Sequence, residues 1–114
     1  MRAEVLKGHL DAMLLATLES GAQHGYAIRE ALRAGSGGRI DLPTGTIYPA
    51  LYRLERAGLI TGKWTKAGVK RQRRNYVLTA AGRRELADQR TSWREFATAM
   101  SAILLQEQVW PANA

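Results

Sequence analysis

A concentrated group of basic side chains is the feature of this sequence with the clearest chemical meaning. Residues 53–84 carry ten lysines and arginines and one acid, Glu55, whereas the remaining 82 residues carry seven basic and nine acidic side chains. Strong positive charge between near-neutral flanks is typical of proteins that bind a polyanion such as nucleic acid. A solvated, arginine-rich surface is the alternative that composition alone leaves open.

A second group of candidate residues lies at the start of a predicted helix. The run Thr44-Gly45-Thr46 offers short polar side chains and free backbone N–H groups, which suit phosphate binding. Tyr48 adds a hydroxyl donor, and Arg53 follows on the same helix, where it would lie near the backbone of a bound duplex. A slim, polar helix start is what entry into the DNA major groove requires. The alternative is that Thr46 only caps the helix and Tyr48 only packs.

The other cations lie in and beside a predicted β-hairpin. Residues 59–65 and 73–78 alternate with period two, which predicts two strands joined by a tip at 66–72. Such a hairpin can lie along phosphates or insert an arginine into a narrow minor groove, although a merely solvated hairpin remains the alternative. The predicted inward-facing residues are Ile60, Trp64, Tyr76 and Leu78. The predicted DNA contacts of the hairpin are Lys66, Lys70, Arg71, Arg73 and Arg74.

Helical periodicity predicts the elements that must position these residues. Apolar spacing predicts a first helix over about Val5–Glu19 and a short second helix at 27–32. A third helix ends at Gly58, and Thr46 is its predicted N-cap, because Pro49 then falls in the first turn, where proline is tolerated. Residues 39–42 alternate and are compatible with a brief strand.

The order helix, helix, helix, hairpin, helix predicts a mainly α fold with a small β-hairpin, that is, a winged helix-turn-helix. We assign residues 1–78 to a DNA-binding domain, and residues 79–114 to a C-terminal dimerisation helix with a short tail. Thr79 is the predicted N-cap of this last helix, which extends to about Gln108.

The last helix is too apolar to face solvent along its whole length. Its apolar residues follow a heptad pattern, which predicts a two-stranded seam between two copies of the chain. Packing against the first helix is the alternative, and both arrangements can hold together. A homodimer would read two half-sites about one helical turn, ~34 Å, apart. The predicted seam residues are Leu86, Trp93, Phe96, Met100, Ile103 and Leu104.

Several function classes are excluded or disfavoured. The chain has no cysteine, which excludes disulfides, thiol catalysis and cysteine-ligated metals. His9 and His24 lie on separate elements without ligand spacing, so we expect no metal site and no cofactor. No catalytic motif is present, and we expect no enzyme activity. No secretory signal or membrane span is visible, so we expect a cytoplasmic protein without a membrane partner.

Short motifs, in the right order and spacing, resemble those of PadR-type transcriptional regulators. The specific pair is His24-Gly25-Tyr26 with Thr44-Gly45-Thr46-Ile47-Tyr48-Pro49, whereas Gly58-Leu59-Ile60 and Tyr76-Val77-Leu78-Thr79 are shared by many winged helices. The resemblance covers about residues 5–105. With a single C-terminal helix, the chain is similar to the smaller PadR subfamily.

The resemblance implies a dimeric repressor that binds double-stranded operator DNA. In some small members, planar aromatic compounds enter a cavity at the dimer centre beside a tryptophan of the last helix. Trp93, with Phe96 beside it, would form that effector site here, although a tryptophan at a heptad position is equally well plain dimer core. Trp110 matches no family position. The resemblance implies major-groove entry through Thr44, Gly45, Thr46, Tyr48 and Pro49.

An alternative function is a protein-interaction module that keeps the winged fold but reads no operator. Acidic protein surfaces would attract the same cations as DNA does. A mobility shift on the protein's own upstream region, with non-specific competitor present, distinguishes the two functions.

Overall fold

The computed structural model describes residues 6, 8–21, 23–66, 68 and 71–106. The helices and strands follow the predicted order, and the two strands form one antiparallel hairpin. The elements are α1 (Leu10–Glu19), α2 (Gly25–Gly35), α3 (Thr44–Arg56), β1 (Ile60–Lys66), β2 (Gln72–Leu78) and α4 (Ala80–Leu104). We call the β1–β2 hairpin the wing.

The core lies where the three short helices meet the base of the wing and the start of α4. Each fully buried leucine or isoleucine contributes about 1.5–3 kcal/mol of burial free energy, so this cluster holds the small domain together. The largest fully buried side chains are Leu14, Leu15, Ile28, Ile47, Leu51, Leu54, Ile60 and Leu86.

Helix α3 begins three residues earlier than predicted, at Thr44. Pro43, in an extended conformation, is the N-cap, and its carbonyl accepts hydrogen bonds from the N–H groups of Thr46 (2.9 Å) and Ile47 (3.2 Å). Pro49 therefore lies inside the helix and cannot donate to the carbonyl of Gly45. The predicted cap at Thr46 is wrong, because the exposed first turn tolerates the lost bond.

The end of α3 sets the direction of the wing. Gly58 adopts a positive φ of 78°, which only glycine reaches without strain. The N–H of Leu59 donates to the carbonyl of Leu54 (3.1 Å), and the N–H of Gly58 donates to that of Glu55 (3.0 Å). This pair of bonds is a Schellman motif, and the predicted glycine stop is confirmed.

The wing confirms the predicted strands to within one residue at each end. Its register pairs Ile60 with Leu78, Gly62 with Tyr76 and Trp64 with Arg74. Ile60, Tyr76 and Leu78 are buried as predicted, but Trp64 is 62% exposed. Trp64 shares the inner face, yet it lies beyond the part of that face that the helices cover. Its predicted core position is therefore wrong.

The junction between β2 and α4 is tightly fixed. The Thr79 hydroxyl donates to the carbonyl of Gly58 (2.7 Å) and accepts from the N–H of Gly82 (3.0 Å), which confirms Thr79 as the N-cap. Gly82 is buried, and a Cβ there would collide with the carbonyl oxygen of Leu59. The first turn of α4 therefore lies directly on the chain that leads into the wing.

Other boundaries differ from the predictions. Helix α1 begins at Leu10, after a turn in which Gly8 has a φ of 88°, and the predicted start at Val5 lies outside the described residues. Residues 39–43 form no strand, and Asp41 bonds Arg29 of α2 instead (3.0 Å). Helix α4 ends at Leu104. The predicted end at Gln108, and Trp110, also lie outside the described part of the chain.

Helix α2 begins two residues earlier and ends three residues later than predicted, and His24 caps its start. The Nδ1 atom of His24 accepts a hydrogen bond from the N–H of Ala27 (3.2 Å), so the helix starts at Gly25. Burial, with a smaller effect of the positive charge on Arg73, lowers the pKa of His24 below its usual value. The neutral ring is the form that can accept this bond.

Candidate nucleic-acid interface

The first turn of α3 presents the predicted small polar residues at the surface. Gly45 and Thr46 are exposed, Thr44 is half-buried, and Tyr48 and Pro49 are exposed. On the opposite side of the helix, Ile47 and Leu51 are fully buried and hold it on the core. A helix held by one face, with a slim polar start on the other, has the shape required for a major groove.

Tyr48 lies against the start of α2, which links the two specific motifs of the sequence. A Cβ at Gly25 would lie 2.5 Å from Cζ and 2.6 Å from the hydroxyl oxygen of Tyr48. The tyrosine ring thus occupies the space that a side chain at position 25 would fill. The sequence showed both motifs but not this contact between them.

The exposed cations of the wing lie on both strands and before β2. Lys66, Arg71 and Arg73 are all exposed, and no carboxylate of the described residues lies within ion-pair distance of them. Exposed cations without a carboxylate partner are available for phosphate oxygens. Lys70, the remaining predicted cation of the tip, lies outside the described residues.

Two predicted DNA contacts have carboxylate partners. Arg53 donates to Asp11 of α1 through both terminal nitrogens (2.9 and 3.1 Å to Oδ1), in a pair that is about half exposed. Arg74 donates to Glu55 of α3 (2.6 Å), and both side chains are half-buried. Arg53 can leave its exposed pair at a cost below about 1 kcal/mol, whereas Arg74 is more firmly held.

A cleft of about 630 Å³ separates the wing from the starts of α2 and α3. It brings Tyr48 of α3 and the wing cations Arg71 and Arg73 to one surface. Trp64 and Tyr26 are exposed at this cleft, and neither was predicted to be there. Alternation along β1 shows which face Trp64 shares but carries no signal for its exposure at the cleft. The lining residues are His24, Tyr26, Tyr48, Trp64, Arg71, Gln72, Arg73, Arg74 and Tyr76.

The apolar face of α4 is exposed from its middle onwards. Leu86 is buried in the chain's own core, so its predicted place in an intersubunit seam is wrong. Trp93 and Phe96 form a tilted ring pair at 5.9 Å, and the His9 ring meets Trp93 edge-on at 5.5 Å. We define the seam as the exposed residues of this face: Trp93, Phe96, Met100, Ile103 and Leu104.

Within the described ranges, no helix is long and apolar enough to cross a membrane. Nor do any three His, Asp or Glu side chains of the described residues lie close enough together to hold a metal ion.

Helix α3 is held on the core by one face, a basic wing lies beside it, and a long C-terminal helix follows. Together these features define a winged-helix DNA-binding transcriptional regulator. The chain belongs to the transcriptional regulator PadR-like family, whose sequence pattern matches residues 14–88. This is a family of transcriptional regulators and not of enzymes, and the resemblance identified from the sequence is confirmed.

Solved structures agree with this assignment. A PadR family transcriptional regulator from Eggerthella lenta is 30% identical, with a TM-score of 0.76 over 92% of this chain and 88% of its own. A transcriptional regulator from Clostridium thermocellum, 23% identical, shares the fold with a TM-score of 0.80 over 91% of this chain and 98% of its own. Bacillus subtilis PadR, solved in complex with operator DNA, is 28% identical, with a TM-score of 0.65. The match covers 93% of this chain and 52% of that one.

Proposed function

We propose that this PadR-family regulator is a sequence-specific repressor that binds operator DNA as a homodimer. The observation that carries the proposal is the cleft at which Tyr48 of α3 and the cations Arg71 and Arg73 share one surface. A duplex whose major groove received α3 would place its backbone along the wing. The Bacillus subtilis relative solved with operator DNA supports this use of the shared fold.

The proposed contacts divide into reading and positioning contacts. Thr44, Thr46 and Tyr48 offer hydroxyl groups to base edges or phosphates at the start of α3, and Gly45 and Pro49 keep this start slim. The exposed cations Lys66, Arg71 and Arg73, with Lys70 of the tip, bind phosphates. Each phosphate contact releases counterions, so binding weakens with salt by a slope of about 0.9 for each contact. Arg53 adds a phosphate contact when it leaves Asp11.

The proposed dimer forms through the seam of α4. Ile103 and Leu104 are 70% and 68% exposed, and Trp93 and Phe96 are each more than half exposed. Clusters of large apolar side chains on one helix face are typical of surfaces that a partner covers. Because α4 is one continuous helix joined to the wing, a paired α4 would hold two DNA-binding units at a set distance.

The experiment that tests the DNA-binding proposal is selection of genomic fragments bound by the purified protein, followed by mobility shift on the selected site. We expect an inverted repeat with half-site centres about 34 Å apart. Thr46→Ala should weaken binding to the selected site by about 1–3 kcal/mol and leave the thermal unfolding temperature unchanged. Enrichment of no sequence would favour a protein-interaction module over an operator-binding regulator.

The proposed effector site consists of Trp93 and Phe96 at the dimer centre, and it would take a planar aromatic compound. Such a compound should quench tryptophan fluorescence in a Trp64→Phe variant, which removes the exposed tryptophan of the wing. The quenching should be lost in Trp93→Ala. Absence of quenching with every member of a broad aromatic panel would assign Trp93 to the dimer core alone.

A further inference from the structure

Glu55, Gly62 and Arg74 join the recognition helix α3 to both strands of the wing. One Oε2 atom of Glu55 accepts hydrogen bonds from Nη2 of Arg74 on β2 (2.6 Å) and from the N–H of Gly62 on β1 (3.4 Å). Both charged side chains are 27% exposed. A charge-assisted bond in this partly desolvated position is stronger than an exposed ion pair.

The guanidinium group of Arg74 occupies the space left by the absence of a side chain at Gly62, beside the rings of Trp64 and Tyr76. A Cβ at Gly62 would lie 2.8 Å from Nε of Arg74 and 2.9 Å from Cε1 of Tyr76. The guanidinium carbon is 5.4 Å from the centre of the Trp64 ring and 5.8 Å from that of Tyr76, within the range of a cation–π contact. Arg74 is therefore held on three sides, unlike the exposed Arg73 beside it.

We propose that Glu55, Gly62 and Arg74 form a clamp that sets the angle between the recognition helix and the wing, and that Arg74 is a positioning residue and not a phosphate contact. The inference deepens the proposed DNA binding and rests on it. With the clamp intact, the wing cations meet the phosphates flanking the groove that α3 occupies. Without it, the wing can still bind DNA, but out of register with the bases.

For the operator affinity of a Glu55→Gln variant, the clamp and simple electrostatics predict opposite changes. Glu55→Gln removes a negative charge beside the DNA-binding surface, so charge alone would strengthen binding. We expect the affinity for the selected operator to fall by about tenfold, with little change in the affinity for unrelated DNA. Gly62→Ala, which alters no charge but fills the space of the guanidinium, should have the same effect.

The salt dependence of operator binding distinguishes a positioning arginine from a phosphate contact. Arg74→Gln should weaken operator binding with an unchanged salt slope. Arg73→Ala, the matched control on the same strand, should lower the slope by about 0.9. Stronger operator binding by Glu55→Gln, or a slope lowered by about one contact in Arg74→Gln, would overturn the clamp.

A measurement without DNA separates failure of the clamp from failure of the proposed function. The Nε–H proton of Arg74 should be shifted upfield in NMR spectra by the Trp64 and Tyr76 rings, and should exchange slowly with solvent. In Glu55→Gln, and in Gly62→Ala, this resonance should move to the position of a solvated arginine. An unchanged resonance in both folded variants would refute the clamp, whatever DNA the wild-type protein binds.

Discussion

Gly25 allows Tyr48 of α3 to lie against α2. A Cβ at position 25 would lie 2.5 Å from Cζ of Tyr48, so even alanine at this position must displace the ring. At the scale of single residues, this contact joins the two sequence motifs in one surface. The position of the Tyr48 hydroxyl depends on Gly25, which does not itself face the proposed DNA groove.

We therefore expect Gly25→Ala to weaken operator binding by displacing the ring of Tyr48. Overpacking of this kind costs about 1–3 kcal/mol where neighbours cannot move, and less at a half-exposed ring. Mobility shift measures the affinity, and thermal unfolding measures the stability. Gly35→Ala is the control, because a Cβ there meets no atom within 4 Å in the same helix. Equal operator affinity in both variants would contradict the proposed role of the contact.

At the scale of elements, the sequence predicts most of what local periodicity controls. The strands of the wing were predicted to within one residue because alternation follows directly from the pleat. The end of α3 was predicted from Gly58, whose conformation requires glycine. The start of α3 differs from the prediction, because Pro43 caps the helix and Pro49 is tolerated inside it. Local preference is overridden where exposure makes a lost hydrogen bond tolerable.

The parts of the candidate site that depend on contacts between elements were less predictable. Alternation shows which face Trp64 shares, but not how far along β1 that face remains covered. The pairing of Glu55 with Arg74 depends on the angle between α3 and the wing, and these residues are 19 positions apart. One signal was present: Glu55 is the single acid of the basic stretch. A lone acid among ten basic side chains indicates a specific partner.

The junction between the wing and α4 gives a prediction about stability. Gly82→Ala should destabilise the protein by about 1–3 kcal/mol or more, because the added methyl meets the backbone carbonyl of Leu59, which cannot rotate away. Urea unfolding measures the change. Gly45→Ala adds the same methyl near the start of α3 in open space, and it should not destabilise the fold. A stable Gly82→Ala variant would contradict the tight packing of this junction.

At the scale of the whole molecule, the chain is elongated, measuring 72 × 28 × 20 Å. The length comes from α4, whose first turns belong to the core through Gly82 and Leu86. Arg90 then bonds Glu19 of α1 (2.9 Å) and holds the pKa of that carboxyl below its usual value. From there to Leu104, most residues of the helix are exposed. The seam is therefore carried on the part of α4 that its own chain leaves uncovered.

We expect Ile103→Glu to convert the proposed dimer into a monomer. Each copy of the chain would bury a glutamate without a partner in the seam, which should weaken dimerisation by more than about a hundredfold. Sedimentation velocity measures the oligomeric state, and circular dichroism checks the fold. Ala102→Glu places the same charge on the opposite side of the helix and should remain dimeric. A dimeric Ile103→Glu variant would refute the seam.

The continuity of α4 from the wing junction to the seam has a consequence for how such regulators diverge. A helix fixed at one end and paired at the other acts as a lever about 37 Å long. A change of about 10° in the crossing angle of the paired helices, made by substitutions far from the duplex, would shift the two DNA-binding units relative to each other by about 6 Å. A regulator of this kind could thus bind operators with a different half-site spacing, without a change in any residue that contacts a base.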